Sequence, residues 1–244
     1  MKNRDEKEVV MSFYKYRSLA TDQQFNYALD IIQNHRLYLA SIDSLNDRLE
    51  GVYLIPSGFA GSGYYTYESH PLFKEALSKY RILSLSDSFN KVPMWVNYAD
   101  NFNGLCIEID ENGTLKKIAK KLMYGDPTSL SNRGCNNGTF DEIAQLSLLH
   151  KSKDWEYEGE YRVLSKVQNI EYQDIDIKDI ICVYIGYKVP AKIKEHIEMI
   201  CKRQRIDTRI AVINVKSYAV EAVTNEEFEE IISGQDIFVY AQEK

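Results

Sequence analysis

The chain has 244 residues, a formal net charge of −6 and 44% hydrophobic residues, enough apolar content for a sizeable core in one large domain or two small ones. The acidic balance argues against general nucleic-acid binding, which needs clustered cations along a phosphate backbone, and the basic cluster Lys116, Lys117, Lys120 and Lys121 has the spacing of a solvated helix face. No stretch nears the roughly 20 apolar residues of a membrane-crossing helix, the N-terminus lacks a signal-like apolar run, and Cys106, Cys135, Cys182 and Cys201 form no C-x-x-C pair, so a cytoplasmic protein without a disulfide framework is expected.

In chain order, Phe13 to Leu19 alternates as a short strand, and Thr21-x-x-Gln24 matches a capping box ahead of Phe25, Ala28, Leu29 and Ile32 at helical spacing. Arg36 to Ala40 reads as a second strand, followed by a turn-forming run through Asn46 and Asp47 to Glu50. Pro56 to His70 is glycine-punctuated and aromatic, the composition of a loop. A short helix near Leu72 to Tyr80 leads into the strand Arg81 to Ser86, whose alternation puts Ser84 and Ser86 on one face. Pro93 opens one or two helical turns through Trp95 and Tyr98, and Gly104 to Ile109 resumes as strand. Thr114 to Met123 is expected to form a basic helix, Gly125 to Gly138 a loop, and Thr139-x-x-Glu142 a second capping box opening a helix to Leu149. An acidic strand follows, then a buried strand at Ile180 to Ile185 and an amphipathic helix from Pro190 to Arg203. A strand at Arg209 to Val215, a helix capped by Thr224-x-x-Glu227 and a strand at Ile237 to Tyr240 complete the order. With no repeat, low-complexity tract or linker, the expected fold is a single α+β domain over residues 1–244, a mixed or split β-sheet flanked by short helices, with an alternative boundary near residue 170.

Glu158-Gly-Glu160, inside Trp155-Glu-Tyr-Glu-Gly-Glu-Tyr-Arg162, stands out chemically. On a strand, residues i and i+2 share a face, so the two carboxylates should emerge together and perturb each other's ionisation. A solvated edge or a salt bridge to Arg162 competes with this. Arg17, the pair Ser84 and Ser86, and the pair Glu158 and Glu160 appear in that order on expected strands. An arginine fork suits a diphosphate, strand hydroxyls can orient a ribose, and a carboxylate can stabilise positive charge at an anomeric carbon. Each has a structural alternative: Arg17 pairing with Asp47 or Glu50, the serines facing solvent, and Tyr14, Tyr16, Trp95 and Tyr98 packing as core aromatics. His35, His70, His150 and His196 lack metal-ligand spacing, so no metal is expected.

The segments Tyr14-Lys-Tyr-Arg-Ser-Leu19, Leu37-Tyr-Leu-Ala-Ser41 with Asn46, Asp47 and Glu50, Met94-Trp-x-x-Tyr98-Ala-Asp-Asn-x-x-Gly104-x-Cys-Ile-Glu108 and Trp155-x-Tyr-Glu-x-Glu-Tyr-Arg162 together resemble a widespread bacterial family of domains of unknown function. More remotely, the order arginine, S-x-S, E-x-E is similar to the R-S-E pattern of ADP-ribosyltransferases, whose split sheet clamps NAD. That resemblance implies NAD as substrate, Arg17 on its diphosphate, and Ser84 or Ser86 at the nicotinamide ribose. It further implies Glu160 on the ribose 2′-hydroxyl and Glu158 at the acceptor, with Tyr16, Trp95 and Tyr98 as candidate cofactor contacts. Ser84-Leu-Ser86 departs from the usual S-T-S of that pattern. The expected function is therefore transfer of ADP-ribose to an unidentified macromolecular acceptor, in a bacterial toxin or defence setting. The alternatives are a non-catalytic ligand- or protein-binding regulatory domain, and a metal-dependent nuclease using Glu108, Asp110 and the later acids with a divalent cation.

Overall fold

A computed structural model describes residues 12–56, 64–66, 70–126, 138–166, 170–234 and 239–240. The first half carries strands β1 (Ser12–Ser18), β2 (Arg36–Tyr38), β3 (Leu54–Pro56), β4 (Tyr64–Thr66), β5 (Arg81–Ser86), β6 (Gly104–Asp110), β7 (Lys120–Lys121) and β8 (Met123–Tyr124). The second half carries β9 (His150–Lys151), β10 (Glu160–Ser165), β11 (Tyr172–Asp174), β12 (Ile180–Gly186), β13 (Asp207–Asn214), β14 (Ala219–Val223) and β15 (Val239–Tyr240). The α-helices are α1 (Asp22–Asn34), α2 (Pro71–Ser78), α3 (Val92–Tyr98), α4 (Phe140–Leu148), α5 (Ala191–Gln204) and α6 (Asn225–Ile232).

The architecture is α+β, as expected. Among the described residues, nine strands form one mixed sheet in the order β14-β13-β12-β6-β1-β5-β10-β7, with β15 beside β13. Only β12 and β13 run parallel in it. Strand alternation sorts its two faces. Leu105, Ile107 and Ile109 of β6 join Val183 and Ile185 of β12, Leu83 and Leu85 of β5 and Val163 of β10 under α1 and α5. Cys106, Cys182 and Tyr184 point the other way, onto Met94 and Trp95 of α3. On that second face Ile82 packs with Phe73 of α2 and Ile143 and Leu148 of α4.

The sheet contains one seam. β1 pairs along its whole length with β6, from Ser12 opposite Asp110 to Ser18 opposite Gly104. β5 likewise pairs throughout with β10, from Arg81 opposite Ser165 to Ser86 opposite Glu160. β1 and β5, however, share only the pair Tyr14 with Ser86. Farther along, Ile82 exchanges its backbone hydrogen bonds with Ala40 instead, both at 2.8 Å. The sheet is split between β1 and β5.

Local chemistry accounts for most helix starts. Thr21 accepts from the backbone of Gln24, and Thr139 and Thr224 each form a complete capping box with Glu142 and Glu227. The basic helix expected over Thr114 to Met123 does not form. Leu115 is buried and closes a single turn through Ile118 and Ala119. Lys120 and Lys121 then leave it to pair with Arg162 and Tyr161 at the sheet edge, followed by Leu122 donating to the Glu160 carbonyl at 2.9 Å. Pairing with β10 overrides the helical preference of the lysines. The loop expected from Pro56 to His70 lies mostly outside the described residues, as does Cys135; Cys106, Cys182 and Cys201 are buried free thiols. No helix among the described residues is long and apolar enough to cross a membrane.

Candidate functional site

A cavity of about 370 Å³ opens where β1 and β5 part. It is lined by Arg17, Ser84, Ser86, Tyr98, Glu158 and Glu160, and also by Lys15, Glu50, Lys151 and Arg162. The residues singled out in sequence order thus meet in one place because β1, β5 and β10 are consecutive in the sheet. The size falls within the range of small-molecule pockets, about 300–1,000 Å³.

The two glutamates converge, although by a different route from the one that alternation suggests. Glu158 does not belong to a strand: it ends a 3₁₀ turn over Lys153–Glu158, and Gly159 follows in the left-handed conformation with φ 53°. The reversal at Gly159 brings both carboxylates to Lys151, whose Nζ donates to Glu158 Oε2 at 2.5 Å and to Glu160 Oε2 at 3.1 Å. Neither acid lies on a solvated edge; Glu158 and Glu160 are 3% and 4% exposed.

Arg162 organises the other side. Its Nε and Nη2 donate to the two oxygens of Glu160 at 2.6 and 3.1 Å, and Nη1 and Nη2 donate to the two oxygens of Glu50 at 2.7 and 2.6 Å. Nη1 also donates to the Leu148 carbonyl at 2.8 Å, so all five N–H donors of the guanidinium are engaged. Burial would push Glu160 up, but the charges of Arg162 and Lys151 outweigh it and hold the carboxyl down at about 2. For Glu158 burial wins over the hydrogen bonds from Lys151 and Tyr98, and the carboxyl is shifted up. The two acids therefore sit in opposed environments, one firmly ionised and one more readily protonated.

Both serines face the acids. Ser86 Oγ donates to the Glu158 carbonyl at 2.6 Å, and Ser84 helps hold the Glu160 carboxyl down. Tyr98 donates its hydroxyl to Glu158 Oε1, and Tyr124 offers its own to the backbone N–H of Glu160, accepting at 2.7 Å.

Arg17 stands apart. Its Nε and Nη2 are buried without a hydrogen-bond partner, and burial draws its guanidinium down to about 10, with Tyr27, Tyr38 and Tyr172 as its electrostatic neighbours. It pairs with neither Asp47 nor Glu50: the Glu50 carboxylate is held by Arg162 and lies 3.7 Å from Lys151 Nζ. Beside Arg17, Lys15 donates to the Ser84 carbonyl at 2.7 Å across the split.

The aromatic candidates divide. Trp95 is fully buried, donates its indole N–H to the Phe89 carbonyl at 2.6 Å, and packs edge-on against Tyr16. Tyr16 borders the cavity, but its hydroxyl donates to the Ser88 carbonyl at 2.8 Å within the core. Trp95 is absent from the cavity lining, so of this group only Tyr98 presents a polar atom to the acids. No sequence pattern marks Lys151; Lys15 and Glu50 appear in the sequence patterns only as members of the Tyr14–Leu19 and Asn46, Asp47, Glu50 segments.

Glu108 faces elsewhere, accepting from the hydroxyls of Ser12 at 2.8 Å, Tyr14 at 3.2 Å and Tyr184 at 2.6 Å. Asp110 accepts from the backbone of Asn112 at 2.8 Å. Among the described residues no group of three or more His, Cys, Asp or Glu side chains is placed to hold a metal ion.

No curated protein and no solved structure matches the chain. Residues 94–163 match the model of a family described as "Protein of unknown function (DUF2971)"; the matched stretch runs from α3 to Val163 of β10 and contains Tyr98, Lys151, Glu158, Glu160 and Arg162. The segment that builds the acidic half of the cavity is therefore the part of the chain that is similar to a family of domains of unknown function.

Proposed function

We propose that the protein is an ADP-ribosyltransferase-like enzyme that takes NAD as substrate and transfers its ADP-ribose to a macromolecular acceptor, in the setting of a bacterial toxin or defence component. The observation that carries this reading is an arginine with two buried, orphaned donor atoms sharing one cavity, at a split in the sheet, with a hydroxyl pair and a carboxylate pair. The donors of Arg17 suit a diphosphate, for which a guanidinium fork is well shaped. Ser84 lies where a ribose hydroxyl can be oriented. Glu160, held ionised, opposes the positive charge that develops at the anomeric carbon as the bond to nicotinamide breaks and the electron pair leaves with the ring. Glu158, the more basic acid, accepts the proton of the acceptor group as its new bond to that carbon forms.

The purified protein is expected to release nicotinamide from NAD, with release lost in Glu158→Gln and in Arg17→Ala. Because Arg17 makes no hydrogen bond through Nε or Nη2, its removal should leave the fold intact by circular dichroism. Nicotinamide release unchanged in both variants would sink the assignment.

A second reading, a non-catalytic binding domain, is favoured by one feature: Arg162 and Lys151 already engage Glu50, Glu158 and Glu160 internally. It predicts ADP-ribose binding by calorimetry with no nicotinamide released.

A further inference from the structure

The charges lining the cavity are unevenly satisfied. Glu50, Glu158 and Glu160 share Lys151 and Arg162, and the five side chains are closed on one another by the ion pairs just described. Lys15 and Arg17 are left over. They lie two positions apart on β1, on the strand face that Phe13 and Leu19 also use, so their Cα atoms are about 7 Å apart. Among the described residues neither forms an ion pair with a carboxylate. Lys15 is half-buried, and its amine donates to one main-chain carbonyl, that of Ser84, at 2.7 Å. Arg17 keeps two buried nitrogens without acceptors. Burying two such groups side by side without a counter-charge is costly, and both open onto the same cavity.

We propose that Lys15 is a ligand-contacting residue that, together with Arg17, receives a diphosphate-class dianion in the split between β1 and β5. The proposal rests on the nucleotide-binding reading above and extends it to a residue outside that pattern. Lys15 bridges the split by holding the Ser84 carbonyl. With a diphosphate present the amine has an anionic acceptor within its own cavity and carries a full positive charge.

Proton linkage follows. Burial, followed by repulsion from Arg17 on the same strand, pushes the Lys15 ammonium well below its ordinary value; Glu160 on β10 opposes this weakly. Tyr27 of α1 and Tyr38 of β2 are the other titratable groups lining the Arg17 end of the cavity. A bound dianion raises the amine's proton affinity again, so binding takes up a proton wherever the empty-state amine is neutral. Affinity should therefore fall as pH rises.

Calorimetric titration of the full chain with ADP-ribose, with inorganic pyrophosphate and with inorganic phosphate, in two buffers of different ionisation heat, tests this directly. Wild type is expected to bind ADP-ribose and pyrophosphate with proton uptake, and phosphate at least about tenfold more weakly. Lys15→Met should lose about tenfold or more in affinity, the worth of a charge-assisted contact, together with the proton uptake. Lys15→Arg, charged at every accessible pH, should recover much of the affinity without the uptake, which guards against a Met variant that merely misfolds. Wild-type affinity and uptake in Lys15→Met would overturn the proposal, as would phosphate binding as tightly as pyrophosphate. If NAD is consumed normally while Lys15→Met retains wild-type affinity, the Lys15 proposal alone fails. If ADP-ribose binds through Lys15 but no nicotinamide is released, the transferase reading alone fails. A wild type that binds none of the three ligands overturns both.

Discussion

At the scale of single residues, Glu160 decides both the charge of the cavity and a share of the stability. Its carboxyl lies at about 2 against an ordinary value of 4.5, and a group depressed on folding contributes stability that is complete above its unfolded value and lost as pH falls through its folded one. The relevant window runs from about pH 4.5 down to about pH 2. Glu160→Gln is expected to cost roughly 3 kcal/mol near neutrality, because it leaves Arg162 and Lys151 partly uncompensated in the interior. The deficit should shrink through that window, where the wild-type side chain also becomes neutral. Urea unfolding of both proteins at neutral pH and near pH 3 checks this; a deficit that does not change with pH would contradict it.

At the scale of elements, the sequence is most readable where hydrogen bonding is local. Thr21, Thr139 and Thr224 announce their helices because the cap and its N3 partner are three residues apart in any context. Lys120 and Lys121 mislead because their partners in β10 lie some forty residues later. Gly159 falls between these cases: it is visible as a glycine, but its left-handed geometry, which ends the 3₁₀ turn and starts β10, is not. A Cβ at this position would lie 2.0 Å from Asp87 Oδ1, and Asp87 is itself held by Lys91 at 3.0 Å. Gly159→Ala should therefore destabilise the chain by about 1–2 kcal/mol through backbone strain and lower nicotinamide release more than tenfold by turning Glu158 away from Lys151. Thermal unfolding together with the release assay would show it; full release in a folded Gly159→Ala protein would mean that the spacing of the acids does not depend on this turn.

At the scale of the whole molecule, the β1–β5 seam divides the sheet into two hydrogen-bonded units joined by the pair Tyr14 with Ser86, while Leu83, Leu85 and Val163 tie them through the shared apolar core. Native-state hydrogen exchange is expected to show β5 and β10 opening at a lower free energy than β6 and β12, which lie inside continuous ladders. A single opening energy for all four strands would argue against two units. Position in the sheet also explains what could be read from the chain. Arg17, the serines and the glutamates were legible as an ordered set because their strands are neighbours. Lys151, which joins the acids, lies on the short strand β9, and Lys15 reads as ordinary strand alternation; nothing local distinguishes either. Trp95 was misleading for the opposite reason, since a tryptophan beside a tyrosine at helical spacing looks the same whether it faces a ligand or the core.

The bond between Arg162 and Glu50 spans 112 residues of chain. During synthesis the carboxylates of the cavity are thus laid down in two instalments, with Glu50 waiting, unpaired, for a strand made much later. Until β10 has emerged and paired with β5, Ser86 has no Glu160 opposite it and Ser84 no Arg162. A nascent or truncated chain ending before β10 carries Lys15, Arg17 and Glu50 without Glu160 and Arg162, so the proposed chemistry can begin only after most of the polypeptide exists.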